Sequence, residues 1–159
     1  MKRRDFLKTA AAGAAAPVLS RFVWANAAER RILYYDRSTE YVHPPTVVQE
    51  DGTTVCGNAL AALGQEDGFV VDSTKDPSVF DGDLSKYSTF VFYTCGNLDA
   101  PKDDQPGISP QGILNFYNAI RGGVGLLGIH SATDTWKTPG PLWDNQPLNE
   151  RKGYTNLIG

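Results

Sequence analysis

The 159-residue chain is poor in the side chains that most often carry chemistry, with two cysteines, two histidines and one methionine. Its basic residues are concentrated at the start. Residues 1–27 hold five of the fifteen lysines and arginines but only one of the eighteen aspartates and glutamates. The remainder keeps ten basic and seventeen acidic residues, a formal charge of −7. No basic patch survives, so nucleic acid is not an expected partner. No apolar run approaches the roughly 20 residues of a membrane-spanning helix; the alanine-rich stretch near the start is interrupted by Gly13 and Pro17. There is no internal repeat and no histidine, cysteine or carboxylate spacing of a dedicated metal motif. The length fits one domain.

What is there begins with a targeting signal. Arg3, Arg4, Asp5, Phe6, Leu7 and Lys8 read as R-R-x-F-L-K, the pattern of twin-arginine export. A weakly apolar stretch over 9–23 leads to Ala25-Asn26-Ala27, a small-x-small cleavage site. Residues 1–27 are therefore read as a signal peptide and 28–159 as the domain, located in the periplasm or otherwise exported. The membrane enters only through this signal. An exported protein can oxidise its cysteines, but twin-arginine substrates usually fold before export. Cys56 and Cys95 are expected to be two buried free thiols.

The domain alternates strand and helix. Residues 31–36 (RILYYD), 69–72 (FVVD), 89–94 (TFVFYT) and 124–129 (VGLLGI) are compact apolar runs suited to buried strands. A polar loop follows the first strand, with Pro44-Pro45 opposing regular structure across its middle. Residues 55–65 read as one helix, ended by Gly68. Ser109-Pro110 is an N-cap followed by proline at the first helical position. Ile113, Phe116, Tyr117 and Ile120 then form one helical face, and Gly122-Gly123 ends it. Residues 136–153 are proline-rich and irregular, and their Trp136 and Trp143 read as packing before sugar stacking. Strands apolar on both faces predict a parallel sheet with helices on both sides, an α/β flavodoxin-like fold. A doubly wound sheet normally continues past four strands, so the domain is expected to be incomplete after residue 159.

In such a sheet, ligands bind outside the carboxyl ends of the strands, near the reversal of strand order. With flavodoxin-like order, strands one, three and four are neighbours. Their following loops carry Asp36, Tyr41 and His43; Cys95 and Asn97; and His130, Ser131, Thr133 and Asp134. Both histidines of the chain thus fall on the ligand-binding face. Imidazole titrates near about pH 6.5 and serves as acid, base or metal ligand. His43, His130 and Asp134 could transfer protons or ligate a divalent metal; equally, His130 could bond a loop carbonyl and Asp134 cap its turn. The strand-four turn has no cysteine and lacks the glycine of a G-x-S-x-G elbow after Ser131. Cys95 could pair with His130 across adjacent strands, although a small apolar strand-end residue is the simpler reading. Gly122-Gly123 and Gly125 precede their strand and so are no phosphate loop.

The stretches STEYVH (38–43), KDPSVFDGDLSKYSTFVFYTCGNL (75–98), ISPQGILNFYNAIRGGVGLLGIHSATDT (108–135) and YTNLIG (154–159) together resemble the ThuA-like, trehalose-utilisation family. GIHSATDT is the most specific of them. The resemblance implies a class I glutamine amidotransferase-like, flavodoxin-like fold. It also implies His43, His130 and Asp134 as site positions, and an elbow whose nucleophile is replaced by the region of His130. Cys95 stands where the family would carry a threonine or similar residue, and the family continues beyond the terminal LIG.

The expected function is handling of a disaccharide or glycoside. One form is an enzyme using His130, His43 and Asp134 for acid/base chemistry, with Asp36, Tyr41, Asn97, Ser131 and Thr133 binding substrate. The other is a sugar-binding or accessory module without turnover. No cofactor is required, a divalent metal is the lesser alternative, and homo-oligomerisation stays open.

Overall fold

The computed structural model describes residues 29–136 and 153–158. The export signal and most of the irregular stretch, including Trp143, lie outside the described residues.

Four parallel strands form one sheet in the order β2-β1-β3-β4, with β1 over Arg30–Tyr35, β2 over Phe69–Thr74, β3 over Thr89–Phe92 and β4 over Gly125–Gly128. This is the flavodoxin-like arrangement expected from the alternating pattern. β1 pairs with β3 from Ile32 opposite Thr89 to Tyr35 opposite Phe92, and β3 pairs with β4 from Thr89 opposite Gly125 to Phe92 opposite Gly128. Strand order therefore reverses between β1 and β3.

The period of two in a strand sends successive side chains to opposite faces. Leu33, Tyr35, Phe90 and Phe92 enter the larger core with Phe80, Phe116, Trp136 and Tyr154. Tyr34, Val91 and Tyr93 enter a smaller one with Cys56, Leu60, Val71 and Ile129. Each face is covered by a helix. Helix α1 (Val55–Asp67) packs Cys56 and Leu60 on the smaller core, and α2 (Pro110–Arg121) packs Phe116 on the larger.

Both helices start on a hydroxyl cap. Thr54 Oγ1 accepts from Gly57 N at 3.1 Å and Ser109 Oγ accepts from Gly112 N at 2.9 Å. Each cap satisfies one orphan amide of the first turn. Gly68 closes α1 in the left-handed region at φ 72°. A short third helix, α3 (Gly153–Ile158), adds Tyr154 to the core, stacked on Phe92.

Three expectations need correction. β4 is not buried: Leu127 is 52% exposed, because among the described residues only β3 flanks this strand. An apolar run shows what a strand tolerates, not which elements reach it. Pro44–Thr46 forms a short 3-10 turn inside the loop read as irregular; proline suits the first position of such a turn. Cys56 is half-buried while Cys95 is buried, and both thiols are free. No helix among the described residues is long and apolar enough to cross a membrane.

Candidate functional site

The carboxyl ends of β1, β3 and β4 are joined by short main-chain links. Thr39 N donates to Cys95 O at 2.9 Å, Gly96 N to Asp134 O at 3.2 Å and Trp136 N to Gly96 O at 3.1 Å. Gly96 sits at the centre, at φ 84°. An added Cβ there would lie 2.6 Å from Thr39 Oγ1 and 2.7 Å from Glu40 Cγ. Only glycine lets the three loops approach this closely while the backbone turns left-handed.

His43 and His130 meet in this region, with ring centroids 4.6 Å apart and planes at 68°. Tyr41 packs edge-on against His43 at 4.7 Å, and Tyr93 lies 5.7 Å from His43 and 6.0 Å from His130. Tyr41 is 63% exposed, so one wall of the cluster is open to solvent. The sequence reading did not include Tyr93. Its signal was its place one residue past β3, on the same face as Val91 and Ile129.

His130 is exposed and begins the 3-10 turn His130–Asp134 with φ 50°. A non-glycine residue in this region costs about 1–2 kcal/mol. Such strain persists where the surroundings over-determine it, commonly at functional sites. Here Ile129 N is tied to Phe92 O at 2.8 Å and Ala132 N to Ile129 O at 3.0 Å. These bonds fix Ile129, the residue before the ring, to β3 and to Ala132 two residues after it.

Ser131 Oγ lies 3.4 Å from His43 Nδ1, a long contact whose donor depends on the tautomer. Thr133 is exposed and its hydroxyl donates to His130 O at 3.4 Å. Asn97 is exposed in the loop after β3, where its carbonyl accepts from Ala100 N.

Asp36 is 1% exposed. Its carboxylate accepts from Thr54 Oγ1 at 3.0 Å and pairs with Lys75 Nζ at 3.2 Å, while Lys75 also donates to the Asp36 carbonyl at 2.7 Å. It ties the end of β1 to the cap of α1 and to the segment after β2.

Asp134 lies with Cys95 and Glu40. Cys95 Sγ donates to Asp134 Oδ2 at 3.3 Å. Among the described residues, the one group with three metal-ligating atoms close together is Glu40, Cys95 and Asp134, all within 4.8 Å of one another. Neither histidine belongs to it. Burial, then the bond to Asp134, pushes the Cys95 thiol up. The sulfur is thus a proton donor at neutral pH, and a metal would have to displace that proton.

The bond to Asp134 and the raised thiol argue against a nucleophilic thiolate at Cys95. Native protein treated with iodoacetamide should label the half-buried Cys56 first and Cys95 only on unfolding. Rapid labelling of Cys95 in the folded chain, read by peptide mass, would overturn this assignment.

A cavity of about 610 Å³ opens at the opposite end of the sheet. It is lined by residues that precede β3 and β4, including Tyr87, Ser88 and Val124, and by no histidine. Open parallel sheets present their ligands at the carboxyl ends, so the histidine cluster is the better candidate despite its shallowness.

Comparison with known proteins gives the family and the export signal. Residues 31–153 match the family model ThuA, described as trehalose utilisation, and residues 1–20 match the twin-arginine translocation signal. No curated protein matches significantly, and no solved structure does. The signal marks the chain for export through the twin-arginine pathway to the periplasm. With its four-stranded parallel sheet and a family match across almost the whole described domain, the chain belongs to the ThuA trehalose-utilisation family.

Proposed function

We propose that this exported chain takes a sugar or glycoside at the carboxyl ends of β1, β3 and β4 and acts on it by proton transfer through His130 and His43. The observation that carries the reading is the ring-to-ring contact of these two histidines, from loops 87 positions apart, beside two tyrosines. Aromatic rings offer apolar faces for the C–H face of a sugar, and imidazole supplies a proton donor or acceptor near neutral pH. In this reading His130, exposed and held by its turn, faces the ligand. His43, placed by Ser131, stabilises whichever form His130 takes. Asp134 and Asp36 position the loops, and Asn97, Ser131 and Thr133 offer polar groups at the rim.

The exposure of Tyr41 and the absence of a serine elbow also suit a module that binds a sugar without turning it over. One experiment separates the two. Trehalose is titrated into the mature protein while the ring protons of both histidines are followed by NMR, and a glycoside panel is assayed for products. Both rings should shift together, and His130→Ala should lower turnover about 10²-fold or more if His130 is the acid or base. Shifts without any product favour the binding module. If neither ring responds to trehalose, glucose or any glycoside, the sugar site is not here.

A further inference from the structure

A second cavity, about 290 Å³, lies beside the histidine cluster and shares its loop, but none of the four rings lines it. We propose that it binds the oxyanion of a small organic molecule, a carboxylate, phosphate or sulfate on a monosaccharide-sized body. The inference goes beyond the sugar site and does not depend on it.

Three cations converge on the cavity from three separate loops: Arg37 after β1, Lys75 after β2 and Lys102 after β3. Lys75 is compensated by the buried Asp36. Arg37 and Lys102 form no ion pair among the described residues. They donate instead to neutral carbonyls, Arg37 to Pro106 and Gln105 and Lys102 to Glu40. Asp103 is the one carboxylate in the lining. Three cations against one lining carboxylate stand out in a domain whose sequence beyond residue 27 carries −7.

Arg37 is only 6% exposed. This buried guanidinium donates to carbonyls and has no carboxylate at ion-pair distance, so its charge is compensated only at longer range, by Asp76, and an anion arriving beside it would complete that compensation. The neighbouring Ser38 supplies an independent indication. It lines the same cavity, is 8% exposed, and its Oγ has no hydrogen-bond partner. Buried hydroxyls are ordinarily bonded, and an oxyanion beside Arg37 would accept this one. Val42, Val47 and Val48 form an apolar wall whose side chains are otherwise exposed. The cavity thus presents a charged end and an apolar side, and its size is near the lower end of small-molecule sites.

The test is calorimetry on the mature protein at low salt with inorganic phosphate, glucuronate, glucose 6-phosphate and, as the neutral control, glucose. At least one anionic probe should bind where glucose does not. Its affinity should fall as ionic strength rises from ~0.01 to ~0.15 M. Glucuronate without phosphate identifies a carboxylate site, and phosphate or glucose 6-phosphate without glucuronate a phosphate site. Lys102→Gln should weaken that probe roughly tenfold, the scale of one lost charge-assisted hydrogen bond. Ser38→Ala should weaken it by less, and both variants should melt as the parent does. If Lys102→Gln melts early, Ser38→Ala alone decides. Equal binding of glucose, no anionic binding, or affinity unchanged in both variants overturns the proposal. So does an anion that shifts the His43 and His130 rings yet ignores Lys102→Gln.

Discussion

Replacing Phe116 with alanine should lower the stability of the domain by about 3–5 kcal/mol, the range for deleting a fully buried aromatic side chain. Phe116 is the hub of the larger core. Its ring lies 5.4 Å from Phe92 and 5.6 Å from Phe90, both stacked, and 6.1 Å from Phe80 at 83°. Trp136 and Tyr154 close the cluster at 5.9 and 6.4 Å. Removing it leaves a void bounded by the rings of Phe90 and Phe92 from β3 and of Phe80, Trp136 and Tyr154. Such rings collapse poorly into space, so the cavity penalty adds to the lost transfer energy. Urea unfolding checks this, with the midpoint falling while the slope stays unchanged. Leu127→Ala on the exposed face of β4 is the contrast, expected within about 0.5 kcal/mol of the parent. A Phe116→Ala loss as small as that of Leu127→Ala would mean that the core is not organised around this ring.

Gly96→Ala should cost about 2–5 kcal/mol and disturb the histidine cluster as well. Two penalties combine. An alanine held left-handed costs about 1–2 kcal/mol. Its Cβ must also displace Thr39 or Glu40, and forced overpacking typically costs about 1–3 kcal/mol. The displaced residues belong to the loop that carries Tyr41 and His43. Gly96 is bonded through its own amide to Asp134, the last residue of the His130 turn, and through its carbonyl to Trp136 just after it. A shift at Gly96 therefore reaches both histidines. Gly123→Ala isolates the backbone part, because Gly123 also has a positive φ, 105°, but nothing lies within 4 Å of an added Cβ. Gly96→Ala should be the more destabilising of the two and should alone move the His43 and His130 ring resonances. Equal losses, with unmoved rings, would show that the loops do not depend on close approach at Gly96.

Local rules were sufficient for much of the fold. Ser109-Pro110 marks the start of α2 because a hydroxyl cap and a proline at the first position act within one turn. TFVFYT belongs to a strand apolar on both faces, and β3 is central. Two strands came out shorter than their apolar runs, β3 stopping at Phe92 and β4 at Gly128, whereas β2 runs two residues past FVVD to Thr74. Just beyond Phe92 and Gly128 the residues keep their apolar character and one amide hydrogen bond to the end of the neighbouring strand, but the ladder does not continue. Tyr93 is such a residue, bonded through its amide to Tyr35 O. That is why its ring, at the meeting of both histidines, was not read as part of a site.

The candidate site was legible in outline only. Strand order and the rule for carboxyl ends bring His43 and His130 to one face, because topology follows from the alternation of strand and helix. The partner of Asp134 was not legible. In sequence it belongs with His130, four positions earlier, but the left-handed step at His130 and the following turn carry its carboxylate to Cys95.

The sequence by itself determined the export signal, the α/β class, the capped start of α2 and the presence of both histidines in loops at the carboxyl ends of the strands. Each of these depends on neighbouring residues or on a fixed period. Only the tertiary structure decided that the two imidazoles touch, that β4 is exposed among the described residues, and that Arg37, Lys75 and Lys102 surround one cavity. Those three cations are separated by 38 and 27 positions in an otherwise acidic chain. Contacts of that kind depend on the lengths and turns of the intervening loops, and Gly96, which draws those loops together, shows its constraint only when Thr39 and Glu40 stand against it.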